Sequence, residues 1–230
     1  MIYATLTIIH VIFTGVALLS GILAMVASPK GNKLHKNSGL VYLYSFTGIL
    51  VTAIIMNCIK YKDLFLGFTI LNSYLLFMGF WILKNKHSKA NWTVWATLTI
   101  LFCGGLLLLA GALRIDDDFY EHGYKWSIVR AFFAGLIFYF TIKDFRYLRN
   151  KGQDKKSWLY NHMEKMLFTY ISLISGIALR LSDLLPYKDI KWLSWIVPYL
   201  ICLPLIAYWV GKYKVNKVKS LLESETINNN

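Results

Sequence analysis

Residues 158–183, WLYNHMEKMLFTYISLISGIALRLSD, are long enough to cross a bilayer, yet they carry His162, Glu164, Lys165 and Arg180. An ionisable group in a spanning helix marks a site unless its head reaches the interface. At 100° per residue, His162, Met166, Thr169, Leu173, Gly176 and Arg180 fall within about 40° of one line. His162 and Arg180 then stand roughly 27 Å apart, one near each membrane surface, with a small or apolar stretch between them. Glu164 points roughly the other way. His162 offers an imidazole ligand, and Met166, one turn on, offers a soft thioether.

A second imidazole, His35, opens the next apolar run in the sequence HKNSGLVY. Asn37 or Ser38 is expected to cap that helix and Gly39 to allow a tight turn. Hydropathy and charge put His35 and His162 at the same membrane surface. Two rings on different elements at one level would ligate a metal or a haem iron. They are expected to approach one another or to share a polar partner, Glu164 or Tyr42. The plainer alternative is a solvated loop histidine beside three lysines. His87, in KNKHSKAN, reads that way throughout.

At the other surface, His10 shares a helix face with Thr14, Ala17 and Gly21, a small-residue stripe suited to close packing. Arg130 and Arg180 fall at a similar depth. The three are expected to converge on one cavity that holds an anion, or to pair with the aspartates of residues 116–118 or with Asp183. The run DDDFYEH, 116–122, has hard-ligand residue types, but three adjacent aspartates on a helix cannot all face one ion. An acidic loop there is the ordinary complement of basic loops on the other side.

Other chemistries lack their residues. Ser172 and Ser175 sit in an apolar run without a nucleophile elbow, and no phosphate-cradling glycine loop or His-x-x-x-His pair occurs. Cys58, Cys103 and Cys202 all lie inside apolar runs and read as small buried hydrophobes, not as a disulfide or metal set.

The elements that must position these residues are membrane spans. Of 230 residues, 57% are hydrophobic and only 16% charged, against about a quarter charged in a soluble domain. Apolar runs predict seven transmembrane helices, about 2–27, 39–59, 64–83, 92–115, 126–145, 159–182 and 193–213, with a tail at 214–230. The fifth is interrupted by Arg130 and ends in Lys143 and Asp144. Pro198 and Pro204 predict a kinked seventh. Alternate loops are basic, while the fourth is acidic, which places the N-terminus outside and the C-terminus in the cytoplasm. The net charge of +13 therefore reflects orientation, and no separate basic domain exists to bind nucleic acid.

HKNSGLVY, His35 to Tyr42, and WLYNHMEKM, Trp158 to Met166, resemble the motifs of a family of bacterial predicted multi-pass membrane proteins classed as a domain of unknown function. That family has a K-G-x-x-x-H-[RK]-x-x-G-x-x-Y loop, matched here by Lys30, Gly31, His35, Lys36, Gly39 and Tyr42. Its later helix starts W-L-x-x-H-x-x-x-M, matched by Trp158, Leu159, His162 and Met166. The resemblance implies a bacterial inner-membrane location and joins His35 and His162 as a motif pair, without an activity. Three functions fit these residues. One is a bundle binding or moving a small or lipid-soluble ligand. The second is a redox protein holding one haem b, or a quinone, with His35, His162, His10 or Met166 as ligands. The third is an accessory protein that packs on a membrane-protein partner through small-residue faces.

Overall fold

In an apolar solvent every backbone polar group needs an internal partner, so long apolar runs fold as helices. The computed structural model describes residues 2–86, 90–113, 123–149, 157–184, 186, 190–208 and 211. They form α1 (Ile2–Val26), α2 (Lys33–Ile59), α3 (Asp63–Lys84), α4 (Trp92–Ala112), α5 (Gly123–Arg149), α6 (Ser157–Ser182) and α7 (Leu193–Tyr208). Among the described residues there is no strand. His87, the acidic run 116–122 and the tail lie outside them.

Five helices, α1 to α4 and α6, are long and apolar enough to cross a membrane, which fits a multi-pass membrane protein. α5 is as long as α2 but carries charges along its length, of which Arg130, Lys143 and Asp144 have partners described below. α7 runs through both Pro198 and Pro204.

α2 begins earlier than expected. Gly31, at φ 87°, turns the chain in a conformation that side chains disfavour. Asn32, not Asn37 or Ser38, caps the helix, its side chain accepting from the His35 N–H at 2.8 Å. His35 is thus fixed in a first helical turn, and Gly39 is an interior helix residue.

α1 and α2 pack as an antiparallel hairpin, marked by Phe13 on Gly48 and Tyr42 on Gly21. Two apolar clusters result. The larger joins α3, α4, α5 and α7, with Phe133, Trp195 and Tyr199 packed edge-on. The smaller joins α1 and α2 to Leu76 of α3 and Leu173 of α6. α3 and α6 contribute to both clusters, so α6 works as the partition. One end of the bundle carries Lys33, Lys36, Lys84, Lys86, Arg146 and Arg149, and is called the basic end below.

Candidate functional site

At the basic end, the two motif histidines are held in the same way. His35 Nδ1 lies 2.9 Å from the Ala24 carbonyl of α1, and His162 Nδ1 lies 2.9 Å from the Gly79 carbonyl of α3. A carbonyl only accepts, so each Nδ1 carries a proton, and in the neutral ring the lone pair is then on Nε2. The rings lie within electrostatic reach of one another. Glu164 is not the shared partner, because it faces α5. Nor is Tyr42, whose hydroxyl donates to Thr169 Oγ1 at 2.9 Å.

Small residues make this approach possible. A Cβ on Gly79 would collide with the Met166 methyl, so Met166 packs α6 against α3 at the residue whose carbonyl holds His162. A Cβ on Gly21 would meet the Tyr170 ring at 2.5 Å. The Tyr170 and Tyr42 rings meet at a tilt, with centroids 6.3 Å apart, between α6 and α2.

The adjoining face of α6 is tied to α5 by charge. Lys165 Nζ donates to Asp144 Oδ1 at 2.8 Å, and Tyr74 of α3 donates to Asp144 Oδ2 at 2.7 Å. Both charged side chains are fully buried. The preceding residues on each helix, Lys143 and Glu164, form a second ion pair nearer the surface, joined by the Tyr139 hydroxyl at 3.2 Å from Lys143 Nζ. The sequence places Lys165 in a span and Asp144 at the edge of one, but their separation of 21 residues gives no hint that they meet.

Beside that second pair lies a cleft of 560 Å³ between α5, α6 and α7. Tyr139, Lys143, Asn161 and Glu164 line its polar part, and Leu136, Phe168, Leu203 and Ile206 its apolar part. Asn161 donates its amide to the Ser157 carbonyl at 2.9 Å, leaving its Oδ1 buried without a partner. None of the residues expected to bind a ligand, His10, Arg130, Arg180, His35, His162, Tyr42 and Met166, lines this cleft.

The expected convergence of His10, Arg130 and Arg180 is not what the geometry shows. Arg130 clasps Asp63, in the first turn of α3, through two hydrogen bonds of 2.8 and 3.0 Å. The nearer carboxylate across the helix seam satisfies its planar fork. His10 Nδ1 lies 2.8 Å from Thr52 Oγ1 of α2. Arg180 meets Asp183 at 3.5 Å and is 68% exposed, though it stays within electrostatic reach of His10. The hydroxyl of Thr52 and the carboxylate of Asp63 were the missing partners. Asp63 was readable as a charge flanking a span; Thr52 carried no signal of its own.

Among the described residues, no three His, Cys, Asp or Glu side chains gather as a protein-only metal cage would need, and the three cysteines are free. Among the described residues, Asn161 Oδ1 in the cleft is buried without a partner, as are Asn57 Nδ2, Asn72 Oδ1 and Trp195 Nε1 elsewhere, and His10, His35 and His162 each show a side-chain bond through one ring nitrogen. No family model, no curated protein and no solved structure matches this chain, so its chemistry is read from these residues.

Proposed function

We propose that this chain is a multi-pass protein of a bacterial cytoplasmic membrane, N-terminus outside, that binds a lipid-soluble amphiphile in the cleft between α5, α6 and α7. The cleft is the observation that carries the proposal. Its 560 Å³ falls within the roughly 300–1,000 Å³ usual for small-molecule sites. Its lining is graded along α6: Asn161 and Glu164 lie toward the basic end and Phe168 lies deeper. An amphiphile matches that gradient, with its head level with the interface and its tail toward mid-bundle. The unpartnered Asn161 Oδ1 suits a head that donates a hydrogen bond, a hydroxyl or an amine. The resemblance to bacterial membrane proteins and the alternation of basic and acidic loops support the proposed location and orientation.

Purification in mild detergent followed by solvent extraction and mass spectrometry tests the proposal. Wild-type protein should retain an amphiphile at close to one equivalent. Leu203→Trp, which fills the apolar part of the cleft, should lose it while eluting like wild type. Equal amphiphile content in both proteins would remove the cleft as the site.

A further inference from the structure

The Tyr42–Thr169 hydrogen bond is also a ruler. α1 runs antiparallel to α2, through the contacts of Gly48 with Phe13 and Gly21 with Tyr42. It is likewise antiparallel to α6, with Tyr170 on Gly21 and Leu18 and Arg180 within reach of His10, so α2 and α6 point the same way. His35 stands seven residues before Tyr42, and His162 stands seven before Thr169. Seven residues are two turns, roughly 10.5 Å along each helix with a drift of only about 20° around it. Both imidazoles therefore stand the same distance along their helices from one cross-link, at one level of the bundle, His35 bonded to α1 and His162 to α3.

At that level each ring is oriented by a backbone carbonyl on Nδ1, at 2.9 Å in both cases. This is the outer-shell arrangement that fixes a ligating histidine, setting the tautomer and the ring plane. Among the described residues nothing bonds to either Nε2, and both rings are partly exposed.

We infer that His35 and His162 form a two-imidazole site for a transition-metal centre, bound through their Nε2 atoms between α2 and α6 at the basic end. Imidazole suits zinc, copper, nickel and iron. With two protein ligands the remaining positions stay open, as they would be for an exchangeable ion or for an iron already held by a porphyrin. The site is separate from the α5–α6–α7 cleft and stands whether or not an amphiphile binds there.

The test uses full-length protein, free of any histidine tag, titrated with zinc chloride alone and with haemin alone. Substitution by asparagine separates the roles, because an asparagine amide can still donate to the Ala24 or Gly79 carbonyl but brings no Nε2. Loss of an outer-shell partner already weakens metal binding about 10- to 100-fold, so loss of a ligand should cost at least tenfold. His35→Asn and His162→Asn should each weaken binding by that much and to the same extent, while His10→Asn leaves it unchanged. Zinc uptake that depends on both rings identifies a bare ion, and a Soret shift that depends on both identifies haem iron. If neither probe shows binding that both substitutions weaken equally, the paired site is wrong. Should an asparagine variant fail to fold, diethylpyrocarbonate mapping on wild-type protein decides. Either probe should protect His35 and His162 together, and protection of neither or of one alone would overturn the inference.

Discussion

The two faces of α6 treat polar groups in opposite ways. Toward α5 it presents Glu164 and Lys165, and both charges are spent on partners: Lys143, and Asp144 backed by Tyr74. Toward α2 and α3 it presents His162, Met166 and Thr169, which are neutral or soft, and its histidine is bonded through only one ring nitrogen. Buried charge is costly to leave unpaired, so the α5 face has one arrangement and holds it. A neutral imidazole tolerates a vacant Nε2, so the α2 face can keep bonding capacity in reserve. The first face behaves as a latch, and the second leaves room for chemistry.

Breaking the latch should have the largest effect. Lys165→Met leaves Asp144 buried and uncompensated and should destabilise the fold by about 3–5 kcal/mol. Asp144→Leu should do the same to Lys165. The double variant removes both charges and should recover most of the loss, because a well-packed apolar pair is about as stable as a buried ion pair. Reversible unfolding in detergent, followed by tryptophan fluorescence, measures all three. Additive losses in the double variant would mean that the two residues act separately.

On the α2 face the corresponding substitution should matter less. Tyr42→Phe removes a neutral hydrogen bond between α2 and α6 and should cost about 0.5–1.5 kcal/mol in the same assay. A loss as large as that of Lys165→Met would erase the distinction between the faces.

Five of the expected spans were legible as helices long and apolar enough to cross a membrane, because an apolar run of that length has few other ways to fold. The ends were less so. The start of α2 moved back to Lys33 because Gly31 and Asn32 provide a turn and a cap, and such signals are common in loops. Which span a charge would find was not legible at all. Arg130 and Asp63 are 67 residues apart, and Lys165 and Asp144 are 21 apart, on helices whose adjacency only packing decides. The histidine pair was visible as two motifs at one surface, but not the two carbonyls that fix their tautomers. The cleft was invisible for a related reason: it is made by three helices, and no single stretch records it.

The smallest effect is expected at the α6–α7 junction. There Lys191 first, then Arg180, hold the Asp183 carboxyl below the ordinary carboxylate range. A depressed carboxylate contributes stability above its unfolded pKa and loses it as the pH falls through the folded one. The contact should therefore be intact at neutral pH and weaken only in acid. The site is exposed and screened, so Asp183→Asn should leave the unfolding midpoint at neutral pH close to that of wild type. A clear drop would show that this junction is part of the latch.

Photolabelling in native membranes, with a diazirine-bearing acyl phospholipid and peptide mapping of the adducts, tests most directly whether α6 borders a true amphiphile site. Adducts should concentrate on residues 160–168 of α6 and 203–207 of α7, and Leu203→Trp should abolish them there while leaving sparse labelling elsewhere. Adducts spread evenly over outward-facing residues such as Ile8, Ile12 and Leu19, with no change in Leu203→Trp, would contradict the account.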